Sequence, residues 1–331
     1  MSELAAEGPY FDDLSPGDVF DTAPPTTLTE GAAAVHGAIV GERLRLALDA
    51  PLGRRVTGDD APPAPPSLVW DLAVGQSTPV THHVRANLFY RGLAFRRLPS
   101  LGDTLRTRTE VVGLRQNSPR PDRAPTGLVA LRITTVDQDD RTVLDFWRCA
   151  MLPLRDGSAR TGHDDDLGRV GRDVEDPAAS VAAWRLEPFR ASLPPSLRRD
   201  VTPGTRWRVV GGDVVSSAPE LARLTHNIAR THHDDEAGTR LVYGGHTIGL
   251  ALTQAVRALP EMVTVLAWQG CDHTGPVREG DTLESTVEVA GVRPGPDGGR
   301  LADLRSRVTA RSGPGDEHRD VLDWRYTALL P

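Results

Sequence analysis

The chain has 331 residues, 39% of them hydrophobic, enough for two ordinary domains with real cores. A net charge of −7 argues against a general nucleic-acid binder, and all 38 basic residues are arginine, so no lysine is available as a Schiff base or general base. Two cysteines, Cys149 and Cys271, exclude a disulfide framework and argue against a cysteine zinc site. The N-terminal "MSELAAEGPYFDDL" lacks the basic and apolar regions of a signal peptide, and no apolar window approaches the length of a membrane span. The expectation is a soluble cytoplasmic protein.

In chain order, the first helical region is "TEGAAAVHGAIVGERLRLALD" from Thr29, followed by "PSLVWDLAVGQS" from Pro66. "GDTLRTRTEVVGLR" from Gly102 opens on a Gly-Asp turn and alternates with period two, as a strand with one buried face does. "TGLVALRITTVDQD" and "VLDFWRCAMLP" supply further strands. Residues 154–199 are rich in Gly, Asp and Arg and lack an apolar period, so they read as a linker crossing the surface. The "HDDD" run from His163 to Asp166 reads as solvated charge rather than a metal site.

The same order then recurs: "APELARLTHNIARTHHD", "GGHTIGLALTQAVRAL", "GDTLESTVEVAGVR", "GRLADLRSRVTARS" and "VLDWRYTALLP". Gly102 and Gly280 open matching blocks, as do Val143 and Val321, both at an offset of 178 residues. The long helix from Gly244 is apolar on most sides, through Ile248, Leu250, Ala251, Leu252, Ala255, Val256 and Leu259, and must be wrapped rather than laid on a surface. A curved antiparallel sheet around one central helix satisfies this. The expected class is α+β, with halves at 1–153 and 200–331.

The segments "LTHNIARTHHD", "RLVYGGHTIGLA", "GPVREGDTL" and "VLDWRYTAL" resemble those of the MaoC-like double hot-dog proteins of R-specific enoyl-CoA hydratase type. Within that group the chain looks closest to the mesaconyl-CoA hydratase and β-methylmalyl-CoA dehydratase branch. The resemblance spans nearly the whole chain. It implies a hydro-lyase acting on a 2-enoyl-CoA, possessing neither metal nor redox cofactor, with a short branched or dicarboxylic acyl group favoured.

Hydrating an unsaturated thioester needs a base near neutral pH, a group orienting water, and N–H donors for the carbonyl oxygen. The hydratase motif carries an Asp five residues before a His, and a second Asp two residues after it. Laid on this chain, the His falls on His232, the later Asp on Asp234, and the first Asp on Asn227. An amide cannot exchange a proton at neutral pH, though it can hold a water or fix the imidazole. His232 is then expected to carry proton transfer nearly alone. Its bland alternative is a histidine at a helix end. His226 and His233 are expected as polar helix-face or loop residues, since with His232 they do not share a helix face as zinc ligands would.

Tyr243-Gly244-Gly245-His246 opens the apolar helix, and unpaired N–H groups at a helix start attract negative charge. Gly244 and Gly245 are the candidate oxyanion donors; the same glycines also suit a tight turn. His246 either lines the site or caps the helix. Leu221, Leu224 and Ile228 form a helical stripe expected in the core, with Asn227 at its edge. In the first half, Arg91 either faces solvent or reaches across to a second carboxylate on the acyl group.

Laying "IVGERLRLALD" on "LTHNIARTHHD" puts Glu42 on Asn227, Ala47 on His232 and Asp49 on Asp234. The first half has lost the base and the Gly-Gly opening, so one active site per chain is expected. Two other readings compete: a hot-dog thioesterase using Asp234 or Asp235, and an acyl-CoA-binding protein without turnover. Two hot-dog halves already mimic a dimer, so a monomer and a homodimer are both compatible with the sequence.

Overall fold

The computed structural model describes residues 6–120, 123–172, 176–233, 240–313 and 315–331. In the first half, helices α1 (Glu30–Val40) and α2 (Pro66–Gln76) precede strands β1 (Ala86–Phe95), β2 (Thr104–Gln116), β3 (Thr126–Val136) and β4 (Thr142–Pro153). In the second, α3 (Ala218–Leu224) and α4 (Gly244–Ala258) precede β5 (Thr264–His273), β6 (Thr282–Pro294), β7 (Arg300–Arg311) and β8 (Arg319–Leu330). The starts of α2 and α4, of β1 and β5, and of β2 and β6 all keep the 178-residue offset.

The long strands form one antiparallel sheet in the order β2, β3, β4, β1, β5, β8, β7, β6, extended at its ends by short strands Val19–Phe20 and Arg206–Arg208. The halves join where β1 pairs with β5: Tyr90 faces Cys271 and Leu93 faces Trp268. Shifting by the repeat offset exchanges these two pairs, so an approximate twofold axis passes between them. Each half wraps its sheet around one helix, the double hot-dog arrangement. All of α2 is buried, and in α4 the exceptions are Gly244 and Arg257. Gln76 and Gln254, equivalent in the repeat, each donate to a strand carbonyl, of Leu105 at 3.2 Å and Leu283 at 2.9 Å. The buried amide nitrogens are tolerated there because their hydrogen bonds are made. Trp70, Trp268 and Trp324 meet edge to face at 5.0–6.1 Å beneath the central strands. Among the described residues no helix is long and apolar enough to cross a membrane.

Two local expectations change. The helical region from Ala218 stops at Leu224, because His226 takes a left-handed backbone with φ of 58° and reverses the chain. A short 3-10 turn, Arg230–His232, follows. The Leu221, Leu224, Ile228 stripe is therefore broken: Leu221 is fully buried, but Ile228 is 49% exposed. His226 stands where the first half has Gly41, whose φ is 72°. The segment 154–199 is also more than a surface crossing. Val181, Trp184, Leu186, Phe189 and Leu193 pack with Leu52, Val56, Val263 and Leu329 into a second apolar cluster. Their spacing follows short 3-10 and helical turns, not one amphipathic helix, which is why no period showed.

Candidate active site

A cleft of about 280 Å³ opens between the two halves. Its walls include Arg85 and Asn87 from the first half, and His232, Gly244, Thr247 and His273 from the second. The 3-10 turn places His232 on one wall. Its ring Nδ1 donates to the Leu241 carbonyl at 3.0 Å, and because a carbonyl only accepts, Nδ1 carries the proton. Nε2 is left as the acceptor of a ring that lines the cleft. Burial pushes the His232 pKa down to about 4, while the Leu241 carbonyl pulls the other way. The imidazole is therefore neutral, the form a general base needs.

Helix α4 starts at Gly244, and Tyr243 before it supplies no capping side chain. The first N–H groups thus lack a side-chain acceptor at the cleft. The two glycines serve different contacts. A Cβ on Gly244 would lie 2.6 Å from His273 Nε2, so the missing side chain lets that ring lie on the helix start. A Cβ on Gly245 would lie 2.0 Å from Asp71 Oδ1 and 2.7 Å from the Tyr243 ring. Gly245 is thus small to admit the first half's central helix; it is not part of the cleft lining.

Asp71 is fully buried and pairs with His36 at 2.9 Å, and burial raises its pKa. Tyr243 donates its hydroxyl to the Asp71 carbonyl at 3.1 Å and its ring lies 5.7 Å from that of His232. Tyr243 therefore braces both the helix start and the base. His246, for which lining and capping were both open, does neither: it is fully buried, with both ring nitrogens unpartnered, and burial pushes its pKa down to about 4.

Asn227 is buried, and its Oδ1 accepts from the Ala229 N–H at 3.1 Å, an Asx turn that shapes the approach to His232. Asn227 is outside the cleft lining. His233 donates through Nε2 to the Asn227 carbonyl, and His226 bonds Thr26 at 3.1 Å, so the three neighbouring histidines point to separate partners. Among the described residues no three His, Cys, Asp or Glu side chains converge as metal ligands. Asp234 and Asp235 lie outside the described residues.

Arg91 does not reach the cleft. Its guanidinium lies 3.7 Å over the Phe89 ring and donates to the carbonyls of Gly168 and Val170. It sits on a strand face covered by the inter-half segment, and alternation along β1 carries it to the side away from the helix. Arg85, one residue before β1, occupies the cleft instead. It is exposed and makes no side-chain hydrogen bond or ion pair among the described residues.

The equivalent place in the first half is almost closed, with a volume of about 10 Å³ among Ala47, Ala64, Pro66, Leu98 and Val263. The repeat explains why. His232 is matched by Ala47, Gly244 by Pro66, His273 by Phe95, Arg85 by Val263 and Asn87 by Val265. Pro66 has no N–H to offer. Polar groups are concentrated around one of two equivalent places. Sequence reading missed His273, Arg85 and Asn87; the signal for them was a polar residue facing an apolar one across the repeat.

The chain is 30% identical over 357 aligned positions to the β-methylmalyl-CoA dehydratase of Chloroflexus aurantiacus, covering 100% of this chain and 99% of the relative. It is 28% identical to the mesaconyl-CoA hydratase of Cereibacter sphaeroides, covering 98% of each. Among solved structures, a conserved hypothetical protein of Mycobacterium tuberculosis with a double hot-dog fold is 55% identical, with a TM-score of 0.92 over 98% of this chain and 99% of that one. No protein-family model matches the chain.

Proposed function

The chain belongs to the MaoC-like double hot-dog hydratases and dehydratases, and on that premise we propose that it adds water reversibly across the double bond of a 2-enoyl-CoA. The observation that carries this reading is the pairing of His232, neutral with Nδ1 bonded and Nε2 left as acceptor, with the uncapped start of α4 on the same cleft. The thioester carbonyl would lie against the Gly244 N–H, where the helix dipole favours the enolate oxygen. A water hydrogen-bonded to His232 Nε2 would attack the β-carbon, forming the C–O bond as its proton passes to the imidazole. The resulting imidazolium returns a proton to the α-carbon. Atoms and electrons balance as net addition of H₂O, through acid-base chemistry of the protein's own groups.

For the acyl group we favour a dicarboxylic one such as mesaconyl, the substrate class named for the Cereibacter relative. Arg85 supports this, as a cation on the cleft with no side-chain partner among the described residues. The test is purified protein with mesaconyl-CoA and crotonyl-CoA, followed by loss of enoyl absorbance, with a thiol reagent reporting free CoA. Absorbance loss without thiol release is expected; thiol release would mean a thioesterase, and tight binding without either a non-catalytic binder. Losing a charge-assisted hydrogen bond, Arg85→Gln should raise KM for mesaconyl-CoA about tenfold or more relative to crotonyl-CoA. An equal rise for both substrates would assign Arg85 to CoA phosphate instead.

A further inference from the structure

We propose that His273 is a second catalytic residue, holding the attacking water jointly with His232; this rests on the hydratase reading and supplies the water-orienting group that Asn227 does not bring to the cleft. His273 ends β5 and lines the same cleft as His232. Its Nε2 is buried against Gly244 without a hydrogen-bond partner. In the proposed role Nδ1 is the unprotonated acceptor and Nε2 carries the ring proton. The Tyr90 ring, edge-on with centroids 6.0 Å apart, packs beside it and limits its rotation. Burial pushes its pKa down to about 4, with His232 adding to the effect.

The repeat argues against a packing role. The equivalent residue is Phe95, fully enclosed in the half whose site is closed. An aromatic hydrocarbon therefore meets the architectural need of this strand end, and an imidazole with an unpaired nitrogen stands in its place only where the cleft is open.

In the proposed step the water donates one O–H to His232 Nε2 and the other to His273 Nδ1. One lone pair is then directed at the β-carbon. The first proton leaves to His232 as the C–O bond forms, and the second stays on oxygen as the product hydroxyl, still donating to His273. His273 neither gains nor loses a proton. In the reverse direction the same contact holds the departing hydroxyl. Two fixed acceptors restrict the water to one orientation, a contribution to kcat rather than to thioester binding.

The test compares His273→Phe, the first half's own residue, with His273→Asn, whose amide oxygen approximates the place of Nδ1. His273→Phe should lower kcat about 100-fold with KM changed less than about threefold, and His273→Asn should recover about tenfold of that loss. Circular dichroism and thermal melting of both variants report folding. Phe kcat within about threefold of wild type, or an Asn variant no better than Phe with both folded, overturns the proposal. Should the Phe variant not fold, imidazole ¹H–¹⁵N spectra of the wild-type chain decide. Saturating 3-hydroxyacyl-CoA should shift the His273 Nδ1 signal, and an unchanged signal overturns the role. Parallel His232→Ala assays separate the two claims: full activity there removes the base while leaving the His273 comparison readable. A wild-type chain inert to every enoyl-CoA removes both.

Discussion

Replacing His232 with alanine is expected to lower kcat for enoyl-CoA hydration about 10³-fold, with KM nearly unchanged. The proton of this imidazole is located by a partner, the Leu241 carbonyl, so that the opposite nitrogen is an acceptor. A small change in kcat with intact fold would move the base elsewhere. The acid limb of kcat against pH gives an independent check. His232 is held at about 4, below the ordinary 6.5, first by burial. The base form is then present across neutral and mildly acidic pH, and kcat should fall only as pH drops through about 4. A limb centred near the ordinary histidine value would place the working imidazole in solvent.

Stability should follow the same histidines with a definite sign. His232, His246 and His273 titrate near 4 when folded and near 6.5 when unfolded. Between those values the unfolded chain binds more protons, so stability falls as pH falls through this window and is flat above it. Urea midpoints measured near neutrality and near pH 5 should show the loss; equal midpoints would mean these rings are hydrated in the native state.

Gly245→Ala is expected to damage stability and catalysis together. The added carbon would sit 2.0 Å from a carboxylate oxygen of Asp71, which is itself held by His36 in a fully buried pair. Neither partner can swing away without leaving a buried charge or ring nitrogen unpaired, so about 1–3 kcal/mol is lost by overpacking. Any relief by moving α4 shifts Gly244 relative to His232, and kcat should fall at least about tenfold. Gly244→Ala is the useful contrast. Its added carbon meets the His273 ring rather than a paired buried carboxylate, so stability should fall less while kcat still suffers. Calorimetry with kinetics on both variants checks this, and equal melting losses would refute the distinction.

How much of this was legible beforehand differs by element. The period-two alternation of β2 and β6, the apolar circumference of α4 and the shared offset were all visible, because each is a local consequence of facing a core. His232 and Gly244 were visible through motif and helix-start chemistry. Arg91 was misplaced because a strand residue's face depends on register and on what covers the sheet, here carbonyls of the 168–170 turn. Ile228 was misplaced because a left-handed residue at His226 ended the helix, where glycine would have been the usual warning. The apolar cluster of the 154–199 segment hid because its residues share a core without sharing a period.

By itself the sequence determined that two copies of one helix-and-sheet plan exist and that one alone retains a histidine before a glycine-opened helix. Those facts are written in residue identity and spacing, which survive without coordinates. Only the tertiary structure decided that Arg85, Asn87 and His273 join His232 on one cleft, while Asn227 is spent on its own turn and Arg91 on carbonyls of the inter-half segment. Antiparallel pairing of β1 with β5 brings together residues nearly two hundred positions apart, and no local pattern encodes which side chains that pairing turns toward the same open space.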